Sequence, residues 1–186
     1  MDNGASSYRR FLEGDNKGLE DLIEEYRLPL QLFLCTIIGN QDNAEEAAIE
    51  TFVKLATKKP KYAGKASFKT WLFKIGRNTA FDIQRKSKKY ETLSIEYVGN
   101  AAVETGNSPE DLYIKEERNR SLHTSMKKLK SEYYEVLWLK YFENLQVKEI
   151  AMIMRKSEGN TKVLLGRARE ALKVQLGKDG FEYEDK

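Results

Sequence analysis

The chain has one cysteine, Cys35, and one histidine, His123, in 186 residues. A single thiol cannot close an internal disulfide, and one imidazole cannot anchor a histidine-rich metal centre. Secreted disulfide scaffolds and the common zinc modules are therefore excluded, and no cofactor is expected. Long apolar runs are missing too. The most apolar stretch, Leu28 to Ile38, carries Gln31 and Thr36 and is too short to span a bilayer. The first ten residues, MDNGASSYRR, have no apolar core of the signal-peptide kind. A soluble, cytoplasmic protein without membrane insertion is expected. Phosphate-binding and nucleophile signatures (GxxxxGK[ST], GxGxxG after a strand, HExxH, GxSxG) are absent, which argues against an enzyme. Only three prolines interrupt the chain, and alternating β-branched runs are scarce, so the expected fold is all-α.

Charge is abundant but segregated. One third of the residues are charged, yet the net charge is only +3. Residues 1–53 hold 11 acids and 4 bases, whereas 54–89 hold 12 bases and the single acid Asp82. Residues 90–119 are acidic again, with 7 acids and 2 bases. Residues 154–178 hold 7 bases and 2 acids. Two cationic blocks separated by anionic ones suit a polyanionic partner gripped at two places. The plainer alternative is that lysines only solubilise helix faces.

Apolar periodicity lays out the helices. Leu19, Leu22, Ile23, Tyr26, Leu30, Phe33, Leu34 and Ile37 recur at helical steps. Pro29 should kink or restart that helix, and Gly39-Asn40 should end it. Asp42 with Glu45 reads as a capping box for the next helix, whose inner face is Ala44, Ala47, Ala48, Thr51, Phe52 and Leu55. Pro60 stops it. After a loop at 61–66, Ser67 caps a helix to about Lys88. Its inner face is Phe68, Trp71, Leu72, Ile75, Thr79 and Ile83, and its outer face Lys69, Lys74, Arg77, Arg85 and Lys86. Asn78 and Asp82 are expected to pair along this helix. Residues 91–107 lack a helical period and read as a flexible linker. Ser108-Pro109-Glu110-Asp111 is a strong helix start, for a helix reaching about Leu129. Helices at 131–142, with Tyr133, Val136, Leu137 and Tyr141 inward, at 146–154 and at 157–176 complete a second unit. The expected domains are 1–90 and 108–178, with an acidic tail at 179–186. Cys35 is expected to be a buried small residue and His123 a surface one.

Two features carry chemistry. The short helix, turn and long helix of 145–172 form a helix-turn-helix pattern, whose second helix can lie in a major groove. Ser157, Asn160, Thr161 and Lys162 sit at its reading end, with Arg167 and Arg169 outward. The block 61–86 interleaves Tyr62, Phe68, Trp71, Phe73 and Phe81 with lysines and arginines. Aromatic rings stack unpaired bases while cations hold the backbone, so this mixture suits single-stranded or melted DNA. Phe68 and Trp71 are expected to be core residues over most of their surface, which leaves the loop at 61–66 and the exposed edge of the helix as the contacting parts.

These features, in this order, resemble the small two-domain extracytoplasmic-function (ECF) sigma factors of bacterial RNA polymerase. The resemblance spans roughly Gly14 to Leu176. It rests on AEEAAIETFVKL (44–55), FKTWLFKIGRNTAFDIQRK (68–86) and the helix-turn-helix ending GRAREAL (166–172). It implies that Glu45, Glu46, Ile49, Glu50 and Phe52 bind core polymerase through its β′ subunit. It implies that Lys61, Tyr62, Lys65, Lys69, Trp71, Lys74, Arg77, Asn78, Arg85 and Lys86 hold the melted minus-ten promoter element. It places Ser157, Asn160, Thr161, Lys162, Leu164, Arg167 and Arg169 at the minus-thirty-five element. An anti-sigma factor is implied as regulator, the free form being a monomer or held by it. Ile49 stands where relatives carry glutamine, and Arg155 where they carry the turn glycine. Glu158 and Leu164 also depart from the usual recognition helix. The competing reading is a helix-turn-helix regulator that binds duplex operators as a dimer, without polymerase.

Overall fold

The computed structural model describes the backbone of residues 3–93 and 117–180, and side chains of 3–86 and 122–180. All its regular elements are helical, as expected. The first unit comprises α1 (Asn3–Leu12), α2 (Lys17–Ile38), α3 (Gln41–Lys58) and α4 (Phe68–Leu93). The second comprises α5 (Glu117–Lys127), α6 (Ser131–Tyr141), α7 (Val147–Met154) and α8 (Glu158–Lys178). Most of the linker expected at 91–107 and the helix start at Ser108 lie outside the described residues, but α4 itself reaches Leu93.

Helix α2 is the axis of the first unit, and α1, α3 and α4 pack around it. Pro29 neither breaks nor restarts it. Proline removes one backbone donor, but Leu22, Leu30, Phe33 and Leu34 are fully buried around that point, and tertiary packing rather than propensity holds most helices. Gly39 ends α2 in the left-handed region (φ 75°), its N–H donating to the Cys35 carbonyl. The cap of α3 falls two residues before the expected Asp42. Asn40 is extended, and its Oδ1 accepts from the Asn43 N–H at 2.9 Å. Asp42 then lies in the first turn, where a negative charge suits the helix dipole. The inner face of α3 is as expected, and its alanines allow close approach. Ser67 caps α4, accepting from the Thr70 N–H at 3.2 Å. Gly76 lets α4 settle onto α2, since a Cβ there would lie 2.8 Å from Leu30 Cδ1. Cys35 is only half-buried.

Tyr8, Tyr26, Tyr62, Phe68 and Trp71 form an aromatic cluster between α1, α2 and α4. The Tyr8 hydroxyl donates to the Pro60 carbonyl at 2.7 Å, and burial pushes the phenol up to about 12. Phe73 is also core, stacked on Phe33 at 5.2 Å.

In the second unit α6 is buried almost all round: Tyr134, Glu135, Val136, Leu137, Trp138 and Leu139 are consecutive buried residues. It is covered by α8 on one side and by α2 on the other, so a one-sided apolar period is lost. Tyr141, expected inward, is exposed, and its hydroxyl accepts from Arg169 Nε at 2.8 Å. His123, expected at the surface, is buried. Its Nε2 lies 2.5 Å from the Tyr134 hydroxyl, beside Trp138 and Phe142, which stack on each other at 4.4 Å.

Two local features of the second unit are testable. The turn between α7 and α8 places Arg155 at φ 55°, ψ 44°, a left-handed conformation that strains a residue with a Cβ by ~1–2 kcal/mol. Arg155→Gly relieves this, offset partly by glycine's entropy, and is expected to raise stability by about 0.5–1 kcal/mol in denaturant titration. Asp179, assigned from sequence to the tail, closes α8 instead. It accepts from Lys128 Nζ and Ser125 Oγ, each at 2.6 Å, and from Gln175 Nε2 at 3.1 Å. The bonds from Lys128 and Ser125 hold its carboxyl down to about 2. A depressed acid stabilises the fold above its ordinary value and loses that contribution as pH falls through the folded one. Thermal midpoints are therefore expected to fall between about pH 4 and pH 2, and Asp179→Asn to flatten that acid limb.

Candidate DNA and polymerase interface

The outward side of α3 is both acidic and apolar. Glu46 and Glu50 are exposed, and beside them on the same helix Ile49 and Val53 are 51% and 45% exposed. Glu45 faces Arg27 at 3.5 Å, and Glu50 faces Lys54 at 3.8 Å. Arg27, Glu45 and Glu50 are open to solvent and Lys54 is half-buried, so both long contacts contribute little to stability. Phe52 does not join this face: it is buried among the helices of the first unit, so the expectation of direct contact is corrected.

Loop 61–66 and the first turn of α4 enclose a cleft. Lys61, Tyr62, Gly64, Lys65, Trp71 and Lys74 line it, and Met152 of α7 forms part of its wall. The Tyr62 hydroxyl donates to the Ala66 carbonyl at 2.6 Å, which closes the loop on itself. The Tyr62 and Trp71 rings meet at 5.2 Å, each half-buried. Lys61 and Lys65 are exposed, and Lys74 is half-buried. An aromatic wall with cations at its rim can stack a base and hold its phosphate. Farther along α4, Asn78 is half-buried, and Arg85 and Lys86 are exposed. Asp82 pairs with Arg85 rather than with Asn78.

Two of the cations assigned to the outer face of α4 are engaged by the second unit. Arg77 is only 13% exposed and forks onto Glu135 of α6: Nε lies 2.5 Å from Oε1, and Nη2 lies 3.2 Å from Oε2. Lys69 Nζ makes an ion contact with Glu143 Oε2 at 2.7 Å, and Trp138 Nε1 donates to the other oxygen at 3.1 Å. The Ser67 and Thr70 hydroxyls both donate to Glu149 Oε1, at 3.1 and 2.9 Å. Burial pushes the Glu135 carboxyl above the usual range, against the opposing pull of Arg77. Burial acts the same way on Glu149 but is outweighed by the Gln146 N–H, the Thr70 and Ser67 hydroxyls and Lys69, so its carboxyl stays low. The sequence reading missed these three glutamates. The one usable signal is an acid inside an apolar run, Glu135 in EYYEVLWL.

Helix α7, the turn at 155–157 and α8 build the helix-turn-helix. The Ser157 Oγ accepts from the Asn160 N–H at 3.1 Å and starts α8. Ser157, Glu158, Asn160, Lys162, Val163 and Arg167 are exposed along one side, with Arg169 held over Tyr141. Thr161 and Leu164, expected at the reading surface, are buried. The Thr161 hydroxyl donates back to the Ser157 carbonyl at 2.9 Å, and Leu164 packs in the core. Leu164 thus marks an inward position of α8 rather than a lost groove contact.

Comparison with known proteins agrees with this layout. The family description Sigma-70 region 2 matches residues 22–90, and Sigma-70, region 4 matches 119–172. The ECF RNA polymerase sigma factor SigM of Bacillus subtilis is 33% identical over 157 residues, covering 84% of this chain and 93% of SigM. SigW of the same organism is 29% identical over 171 residues, covering 88% of this chain and 91% of SigW. Among solved structures, CnrH in complex with the cytosolic domain of CnrY superposes with TM-score 0.63 at 18% identity, over 95% of this chain and 96% of that one. RpoE in complex with the anti-sigma factor NepR from Bartonella quintana gives TM-score 0.60 at 24% identity, over 85% of this chain and 98% of that one. These two share the fold. The regions 2 and 4, in order and together spanning most of the chain, place this protein in the ECF sigma factor family.

Proposed function

We propose that this chain is a promoter-selecting subunit that docks on bacterial core RNA polymerase through α3 and brings two DNA-reading surfaces with it. The observation that carries the reading is the coexistence of three distinct faces on one small chain: the acidic–apolar side of α3, the lysine–aromatic cleft at 61–74, and the cationic side of α8.

Glu45, Glu46 and Glu50 ring Ile49 and Val53 and meet a basic surface of the polymerase β′ subunit, which speeds oriented association. Tyr62 and Trp71 take an unpaired base of the minus-ten element, and Lys61, Lys65, Lys74, Arg85 and Lys86 hold its phosphates. Ser157, Asn160, Lys162, Arg167 and Arg169 meet the minus-thirty-five element. Asparagine suits adenine and lysine suits guanine or phosphate. Either unit alone grips DNA weakly. Carried together on polymerase, the second contact becomes intramolecular, and affinity multiplies. The chain catalyses nothing itself and melts DNA by trapping separated bases. The units are 1–90 and 108–178, joined by 91–107, with α4 extending into the joint and Asp179 belonging to the second unit. An anti-sigma factor regulates it.

Transcription in vitro with purified core polymerase on genomic promoter fragments tests this. A start-site-specific transcript dependent on the chain is expected. The operator-binding alternative instead requires tight duplex binding without polymerase.

A further inference from the structure

Helix α1 precedes the matched region 2, which begins at residue 22, and the proposed function gives it no part. Yet α1 touches both ends of loop 61–66. At the entry, α3 closes on Lys59 in the left-handed region (φ 41°, ψ 55°), and the Lys59 ammonium lies over the Phe11 ring at 4.9 Å. The next carbonyl, that of Pro60, accepts from the Tyr8 hydroxyl at 2.7 Å. At the exit, the Tyr8 ring meets Phe68 at 5.5 Å and Trp71 at 5.3 Å. Trp71 is also the ring against which Tyr62 of the loop packs. The seat of α1 is closely fitted, because two glycines let main chain and side chains meet there. A Cβ on Gly4 would lie 2.5 Å from Phe68 Cδ1, and one on Gly18 of α2 would lie 2.3 Å from the Ser7 carbonyl oxygen.

We propose that Tyr8 is a positioning residue for promoter opening: its hydroxyl on Pro60 and its ring on Trp71 hold the two sides of the base-capturing cleft at one spacing. This rests on the reading that loop 61–66 and Trp71 take an unpaired minus-ten base. A base stacks well only where the ring and the rim lysines are in place before it arrives. A loop with loose ends is ordered by the DNA itself, and that ordering lowers affinity. Tying Pro60 and Trp71 to one buried ring moves the ordering into the folding of the chain. Being buried, Tyr8 touches no nucleotide and acts through Pro60 and Trp71. The hydroxyl separates this role from packing alone. Phenylalanine would fill the same space and remove the donor that Pro60 receives.

Two readouts test it, one on the free chain and one on the holoenzyme. Tyr8→Phe keeps the ring and removes the hydroxyl. Thr36→Val is the control: it also removes a buried hydroxyl that donates to a carbonyl, that of Phe33 at 2.7 Å, but within α2. Limited trypsin digestion of the free full chain reads the loop, since Lys61 and Lys65 are exposed within it. Cleavage after these lysines is expected about fivefold faster in Tyr8→Phe, the typical effect of one hydrogen bond on a local opening equilibrium. It is expected unchanged in Thr36→Val. A wild-type cleavage rate in Tyr8→Phe overturns the tether. The second readout is fluorescence anisotropy of holoenzyme on the single-stranded minus-ten segment of a promoter it transcribes. Each base is replaced in turn by an abasic site. An abasic site at the captured position is expected to weaken wild-type binding roughly tenfold. In Tyr8→Phe that penalty is expected to shrink about threefold or more, while affinity for core polymerase stays as in the wild type. A merely structural role scales the binding of intact and abasic strands equally and leaves the penalty unchanged. A full penalty in a Tyr8→Phe chain with the wild-type helical spectrum therefore overturns the positioning role while base capture stands. Where no abasic position weakens wild-type binding, base capture itself fails and the role of Tyr8 falls with it.

Discussion

Reversing Glu45, Glu46 and Glu50 to lysine together is expected to abolish association with core polymerase while leaving the chain folded. The three acids lie on the outward side of α3, where Glu45 meets Arg27 at 3.5 Å and Glu50 meets Lys54 at 3.8 Å. Breaking such exposed pairs changes stability by less than about 1 kcal/mol. The inner face of Ala44, Ala47, Ala48, Thr51, Phe52 and Leu55 is untouched. Binding is different. Three reversals turn attraction into repulsion around the apolar centre formed by Ile49 and Val53. Affinity for core polymerase is expected to fall about 100-fold or more at low salt, most of it in the association rate. Surface plasmon resonance with immobilised polymerase reads both rates. An unchanged association rate in a variant with the wild-type helical spectrum would sink the docking assignment.

The second large effect concerns the cleft. Replacing Lys61, Lys65 and Lys74 with alanine removes the cations at its rim while keeping Tyr62, Trp71 and the closing bond from Tyr62 to Ala66. Lys61 and Lys65 are exposed, so folding should be unaffected. Each phosphate contact with a single strand contributes roughly 0.7 to the slope of log affinity against log salt. Loss of three contacts is expected to lower that slope by about 2 and to cut stable promoter opening roughly 100-fold at low salt. Permanganate footprinting of holoenzyme across a salt series measures both. If opening weakens with no change in slope, the lysines act on the fold of the loop rather than on DNA.

Much of this was legible from residue order. Helical spacing marked the inner faces of α2 and α3, because residues three and four apart share a side. Gly39 and Ser67 announced an end and a start, since a left-handed C-cap and a hydroxyl N-cap are local requirements. Local reasoning slipped where two candidates stood close together: Asn40 took the cap expected of Asp42 because the chain leaves Gly39 already extended there.

The amino-acid order alone determined the helical class, the segregated charge blocks and the family pattern, all of which depend on neighbours within a few turns. Only the tertiary structure decided which polar groups are free. His123 is buried beside Tyr134, and Thr161 and Leu164 turn inward. Lys69 and Arg77 spend their charge on glutamates more than 50 residues away. Helical periodicity says which side of a helix is apolar. It cannot say that a second unit will lie across the polar side, because that cover is chosen by shape and charge matching between distant segments.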